Sequence, residues 1–361
     1  MKQKWTNEQA NAWYKKLGWL RGCNFIGSDC TNRLDMWQKY KAEEKLATAE
    51  KELALCEKIG FNTVRLWANF DVYYMEPDSY MEIFDKYIDL CGKYNQKVMV
   101  VLAHEEDLPR GEVFEPKPMG EQKYALGVHQ GRVPMTKEQL AKAPKHYMEY
   151  PELHDKYIEM VKRTVEKYKN DERVFCWNIY NEPGITIGKR SIPLLEELFA
   201  VVRAADPIQP LCADIWRGVT EEGEIRTEEE KVGFELSDVI SVHSYSAFDW
   251  FVRLMKAMEK HDRPIFVTEW LQRINHNNVQ EIYPFLYYSN IANYCWGFVV
   301  GKTQTNEPWD CFWDQWDQGG GRNYDFTKWQ HDLFRPNLRP YDPHEIELIE
   351  RFNKFAKDEG R

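Results

Sequence analysis

Along almost the whole chain, apolar runs of strand length take turns with stretches of helical period, and that alternation leaves few folds open. The strand candidates are Gly22–Gly27, Thr63–Ala68, Lys97–Ala103, Val174–Tyr180, Leu211–Trp216, Val239–Tyr245, Pro264–Trp270 and Cys295–Val300. Between and after them the pattern predicts helices over Glu43–Ile59, Tyr80–Tyr94, Glu152–Tyr168, Ile192–Ala204, Trp250–Glu259, Val279–Asn290 and Glu345–Ala356. Leu153, Tyr157, Met160, Val161 and Val165 show the i, i+3/i+4 spacing of one buried stripe. Gly60 and Gly92 read as helix stops. A strand, a crossing helix and another strand give parallel pairing. Eight such strands are the number that closes a (β/α)8 barrel. An open doubly wound sheet would bring a Gly-rich phosphate turn, and the chain has neither GxGxxG nor a P-loop. The expected fold class is therefore α/β, a (β/α)8 TIM barrel, as a single domain over residues 1–361.

Two long segments interrupt the rhythm, 104–150 after the third strand and 301–343 after the eighth. The first carries Pro109, Pro116, Pro118, Pro134 and Pro144; the second carries Trp309, Trp313, Trp316 and Trp329. Loops of this length in a compact domain are usually functional or disordered. In a barrel both would stand over the C-terminal face, where active sites of this fold lie. Packing of a long loop onto the barrel is the plainer reading of the tryptophans.

Charge and cysteine usage narrow the function classes. With 48 Lys and Arg against 58 Asp and Glu, the net charge is −10, which speaks against a nucleic-acid or anionic-membrane partner. The longest clean apolar run, Val98–Ala103, falls far short of the ~20 residues a membrane span needs. Eight cysteines are scattered singly, several inside apolar segments, and read as buried reduced thiols rather than a disulfide frame. The opening Met1-Lys2-Gln3-Lys4 leads into no apolar signal, which points to a cytoplasmic protein.

The sharpest chemical signal is Trp177-Asn178-Ile179-Tyr180-Asn181-Glu182-Pro183, an apolar strand that ends on a carboxylate. Pro183 and Gly184 stop both strand and helix from running through, so Glu182 is fixed on rigid backbone. Pro264-Ile265-Phe266-Val267-Thr268-Glu269-Trp270 repeats the arrangement. The two glutamates fall on strands four and seven, from which they can face each other across the barrel mouth. Such a pair suits glycosidic bond cleavage: one carboxyl protonates the leaving oxygen, and the other attacks the sugar carbon or activates water. Mutual repulsion would keep one of them protonated near neutral pH. A single glutamate in so acidic a chain would be a surface charge; the pair at two strand ends is the signal.

At these residues the chain resembles the clan-A retaining glycoside hydrolases, family 5 in particular. The resemblance implies an acid/base at Glu182, preceded by Asn181, and a nucleophile at Glu269. It further implies an Arg on strand two (Arg65, in Val64-Arg65-Leu66-Trp67), a His after strand three (His104) and a His-x-Tyr after strand six (His243, Tyr245). A Trp on strand eight (Trp296) completes the set, and Arg21–Gly27 is similar to that family's first strand. On this reading Arg65 keeps Glu269 ionised, Tyr245 orients it, and His243 and His104 touch sugar hydroxyls or position the acids. Asn181 reaches the sugar 2-hydroxyl, and Trp296 offers a face to the sugar ring. Trp216, Trp270 and Trp67 are further candidates for that face, or core residues. The implied activity is retaining cleavage of β-linked oligo- or polysaccharides of the β-mannan or β-glucan type. No cofactor and no metal are implied.

Two rival readings stay open at the level of sequence. One is a sugar-binding protein on a dead hydrolase scaffold, which would be expected to lack one of the two glutamates. The other is a metal-dependent barrel hydrolase, for which His104-Glu105-Glu106-Asp107 and the pair His146 and His154 are the available ligands, without HExxH spacing.

Overall fold

A computed structural model describes residues 3–361. Eight strands close into one parallel barrel in chain order, β1 to β8. They are β1 (Arg21–Asn24), β2 (Thr63–Trp67), β3 (Lys97–Val101), β4 (Val174–Tyr180), β5 (Leu211–Ile215), β6 (Ile240–His243), β7 (Ile265–Trp270) and β8 (Ala292–Cys295). The main helices are α1 (Asn7–Leu17), α2 (Ala42–Lys58), α3 (Pro77–Lys93), α4 (Pro151–Tyr168), α5 (Ser191–Ala204), α6 (Glu228–Leu236), α7 (Phe248–Glu259), α8 (Val279–Tyr288) and α9 (Pro343–Asp358). Their starts follow from local chemistry. Proline opens α3, α4 and α9, where its missing N–H costs nothing. Thr6 and Gln9 form a capping box on α1, and the Asn278 side chain caps α8. The α4 stripe is buried as its spacing predicts. No helix among the described residues is long and apolar enough to cross a membrane.

Three sequence expectations are corrected. The last strand is Ala292–Cys295 and not Cys295–Val300. Asn290 (φ 51°) turns the chain out of α8, and Gly297 (φ 76°) ends the extended run where a Cβ would meet the Asp332 carboxylate at 2.4 Å. Phe298 and Val299 instead pack beside Phe334. Gly92 does not stop a helix: α3 runs through it to Lys93, and its missing Cβ makes room for the Arg173 side chain. Helix α6, between β5 and β6, lies outside the helices expected from the pattern; its Glu-Glu-Glu start hides the apolar period.

The N-terminal end of the barrel is plugged. Ala10 and Tyr14 of α1 join Phe175, Cys176, Cys212, Phe266, Ala292 and Tyr294 in one buried cluster, with Trp5 and Trp13 packed against it. Trp13 stacks on Phe175 at 6.2 Å between centroids. All eight cysteines are free thiols, seven buried and Cys311 exposed. The nearest pairs, Cys23 with Cys56 and Cys176 with Cys212, stand 4.0 and 3.7 Å apart at sulfur. The segments 104–150 and 301–343 leave β3 and β8 at the opposite, C-terminal end, over a cavity of about 910 Å³.

Candidate active site

At the C-terminal mouth the polar side chains form one connected network, centred on Arg65. From β2, its fully buried guanidinium donates through Nη1 to Asn24 Oδ1 (2.8 Å) and Glu269 Oε1 (2.9 Å). Nη2 donates to Asn181 Oδ1 (2.6 Å) and Asp214 Oδ2 (2.8 Å). Burial alone would lower the Arg65 pKa, but the charges of Asp214 and Glu269 raise it. Asp214 also accepts from Asn178 Nδ2 (2.8 Å), Thr268 Oγ1 (2.9 Å) and the Ser241 hydroxyl. Burial works against its charge, yet Arg65 and His243 hold the carboxyl well below the usual carboxylate range. A buried charge on this scale is tolerable only because every neighbour is a donor.

Glu182 and Glu269 face each other over this base. With His243 they place one ligand atom each within 4.8 Å of one another. Tyr245 donates its hydroxyl to Glu269 Oε2 (2.7 Å), and His243 Nδ1 is hydrogen-bonded to Glu182 Oε1 (2.6 Å). The same His243 nitrogen lies 3.6 Å from Glu269 Oε2. Burial, and then the Glu269 charge, push the Glu182 carboxyl up to about 7, while His243 pulls it down. Burial lowers His243 too, but the surrounding carboxylates Glu269, Asp214 and Glu182 prevail and raise it to about 10. One carboxyl is thus poised near neutrality, and the other is gripped by a guanidinium and a phenol. Burial, more than the mutual repulsion expected from sequence, separates the two roles.

Backbone irregularities aim these groups. The pairing register slips between Asn178 and Tyr180 on β4 and between Val267 and Trp270 on β7, a bulge-like device that re-aims side chains beside functional sites. Glu182 itself is in the left-handed region (φ 47°), a strained conformation for this residue type. It is held by the turn that follows. Gly184 (φ 85°) passes against Glu229, whose Cγ would lie 2.4 Å from any added Cβ. The Glu105 carboxylate accepts from the backbone N–H groups of Gly184 (2.7 Å), Thr186 (2.6 Å) and Ile187 (2.8 Å), and from the Tyr180 hydroxyl (3.1 Å).

The remaining candidates divide. His104 lines the cavity against the edge of Trp67; burial pulls its pKa down to about 3, so the ring is neutral, and its Nδ1 has no protein partner. Asn181 Nδ2 is likewise buried without a partner. Trp67, Trp216 and Trp296 line the cavity, with Trp67 and Trp296 edge-to-face at 5.9 Å. Trp270 does not belong with them. It is 1% exposed and packs on Tyr283 of α8, because a strand sends the residue after Glu269 to the other face. Of the loop tryptophans, Trp309 lines the cavity, Trp313 packs on Phe326, and Trp329 stacks on Tyr341.

The metal-ligand alternatives drawn from sequence come apart. Glu105 is the clamp just described, Glu106 pairs with Arg33 (2.6 Å), and Asp107 lies 3.6 Å from Arg132. His146 accepts from the Met148 N–H, while His154 meets Glu197 on the surface. Among the described residues the one converging trio is Glu182, His243 and Glu269, where a cation would have to break the His243–Glu182 hydrogen bond.

Sequence reasoning passed over Asn24, Asp214, Ser241, Thr268 and Arg33, and weighed Glu105 only as a metal ligand. A lone aspartate within the apolar strand Leu211–Trp216 was the available signal for Asp214.

Comparison with known proteins agrees with this geometry. Residues 21–319 match the family model described as Cellulase (glycosyl hydrolase family 5). The fold is shared with a β-1,4-mannanase from the sea hare Aplysia kurodai, at 15% identity and TM-score 0.55, over 77% of this chain and 88% of that one. It is shared with the endo-β-1,4-mannanase from Thermotoga petrophila, at 12% identity and TM-score 0.58, over 95% and 78%. A Streptomyces cattleya protein of GH5 subfamily 18, solved in complex with Manβ1-4GlcNAc, gives 12% identity and TM-score 0.58 over 93% and 80%. No curated protein matches the sequence significantly.

Proposed function

The chain belongs to glycosyl hydrolase family 5 and is a glycoside hydrolase acting on β-linked glycans; from that premise we propose that it works by double displacement with net retention, Glu269 as nucleophile and Glu182 as acid/base. The observation that carries this reading is the Glu182–Glu269 pair itself. One oxygen of each carboxyl lies within 4.8 Å of the other, which favours the ~5–5.5 Å separation of retaining sites over the ~6.5–9.5 Å of inverting ones.

In the first step a Glu269 oxygen bonds to the anomeric carbon as the glycosidic C–O bond breaks, and Glu182 delivers its proton to the departing oxygen. In the second, Glu182 takes a proton from water, the hydroxide oxygen bonds to the same carbon, and Glu269 leaves. The pKa of Glu182, raised to about 7, suits a group that must give and regain a proton near neutrality. Arg65 and Tyr245, each donating to one oxygen of Glu269, align it for attack. The unpartnered Asn181 Nδ2 is the donor for the sugar 2-hydroxyl, and neutral His104 offers a further polar contact. Trp296 supplies the apolar face under the ring, with Trp216 on the leaving-group side. β-Mannosides are the preferred substrates on this reading, because mannanases and a Manβ1-4GlcNAc complex share the fold.

The test is trapping. A 2-deoxy-2-fluoro-β-mannosyl fluoride, and its gluco counterpart, should leave a covalent adduct on the peptide containing Glu269, and the first product seen by NMR should be the β-anomer. An adduct elsewhere, or an α-anomer as first product, overturns the assignment. Sugar binding with neither adduct nor turnover would make the chain a lectin-like relative.

A further inference from the structure

The space above the two glutamates is a pocket walled by a ring of loops. The segment after β3 is fastened along one edge to the segment after β1. Gln38 and Gly120 exchange two hydrogen bonds (2.7 Å each), and Asn32 Nδ2 donates to Gln122 Oε1 (3.3 Å). Along the other edge it is fastened to the segment after β8. Gly127 N donates to Gln304 Oε1 (2.6 Å), Gln304 Nε2 to Ala125 O (2.7 Å), and Trp309 Nε1 to His129 Nε2 (3.2 Å). Gly131 (φ 61°) runs so close to Lys302 that a Cβ would sit 2.6 Å from its carbonyl oxygen. Lys302 N in turn donates to Ser28 O (3.0 Å), which closes the ring of loops. The pocket volume of about 910 Å³ lies within the ~300–1,000 Å³ range of small-ligand sites.

Beside Trp67 the pocket wall carries a charged pair. The Arg33 guanidinium lies 3.6 Å from the Trp67 ring centroid, and its Nη2 is 2.6 Å from Glu106 Oε2; both side chains are mostly buried and line the pocket. Arg65, which grips Glu269, is 4.7 Å from the same ring centroid. A single indole therefore separates the Arg33–Glu106 pair from the nucleophile's own partner. On the double-displacement reading the leaving group departs beside the acid/base Glu182, which follows β4 and neighbours β5 and Trp216. From Glu269 on β7, the other way round leads to Trp296 after β8, then β1, then Trp67 on β2.

We propose that Arg33 and Glu106 cap the glycone end one sugar beyond the scissile bond, binding the hydroxyls of a non-reducing terminal residue. The enzyme then removes single sugars from chain ends and does not cut within chains. An ion pair suits a chain-end cap because it presents both donors and acceptors to vicinal hydroxyls, and a following sugar residue would meet it as an obstacle. The inference rests on the double-displacement reading above.

The test uses the wild-type chain and reducing-end-labelled β-1,4-mannopentaose, with cello- and xylopentaose in parallel, plus the mannopentaose carrying a methyl ether on its terminal 4-hydroxyl. Stepwise appearance of labelled tetra- and then trisaccharide, with the methylated pentaose uncut, is expected. Labelled di- and trisaccharide at the earliest times, or cleavage of the methylated substrate, overturns chain-end action and leaves the hydrolase reading standing. No cleavage of any substrate, together with no trapping at Glu269, removes both. Glu106→Gln and Arg33→Lys should raise KM for the pentaose about tenfold or more with kcat nearly constant and melting temperature preserved. An unchanged KM with a lowered melting temperature would assign the pair a structural role instead.

Discussion

The two ends of this barrel are built from opposite materials. At the N-terminal end, α1 seals the strands with Trp13, Tyr14, Phe175 and Phe266, an aromatic plug that asks nothing of water or charge. At the C-terminal end the same strands carry Arg65, Asp214, Glu269, His243 and Glu182, buried and held by one another's hydrogen bonds. The plug can gain stability from apolar burial, at ~25 cal/mol per Å². The polar end pays desolvation for each charge and recovers it only through the completeness of its network. Stability and chemistry are thus separated along a single axis, and substitutions at the two ends should separate in the same way.

The largest effect should come at the polar end. Glu182→Gln is expected to lower kcat roughly 10²–10⁴-fold. On the proposed mechanism Glu182 protonates the leaving group only while it holds its own proton, so wild-type activity should fall as pH rises through about 7, and the variant's residual rate should lack that limb. The sign for folding is linked. A carboxyl raised from 4.5 to about 7 binds its proton more tightly in the folded state, so its contribution favours folding at low pH and is lost as pH climbs through that window. The Gln variant should show a flatter dependence of stability on pH there, and an unchanged slope would put the buried proton elsewhere.

Next comes the plug. Phe175→Ala should cost about 3–5 kcal/mol of unfolding free energy, while kcat and KM of the folded fraction stay at wild-type values. A loss of kcat at a temperature where the variant is fully folded would show that the two ends are coupled after all. The smallest of the three is Glu105→Gln, which replaces one acceptor oxygen facing backbone N–H groups by an amide nitrogen. A roughly tenfold fall in kcat at constant KM is expected, with about 1–3 kcal/mol lost in unfolding.

Seven of the strands were legible because parallel strands buried on both faces read as short apolar runs. The eighth was misplaced for a reason of the same kind. Its Asn293 and Tyr294 look like loop, whereas Phe298-Val299-Val300 looks like strand and is a loop packed on Phe334. At the site, residues at strand ends announced themselves: Glu182, Glu269, Arg65 and His243 all lie in the network. Trp270 was misjudged because adjacent strand residues point to opposite faces, a rule that could have been applied to it from Glu269. Glu105 could not have been found from spacing. Its importance lies in three backbone N–H groups of a turn whose shape depends on Gly184 and on the strained Glu182, and no side-chain pattern encodes those.

That clamp has a mechanical consequence. Glu105 is the second residue of the long segment after β3, and its own carbonyl accepts from the Thr186 hydroxyl (3.0 Å) while its carboxylate holds the turn from the other side. The root of that segment and the turn that bears Glu182 are therefore tied together through three backbone N–H groups and one hydroxyl. The chain first turns left-handed beyond it, at Asp107 (φ 55°), so the long segment departs from the same anchor that fixes the Glu182 carboxyl.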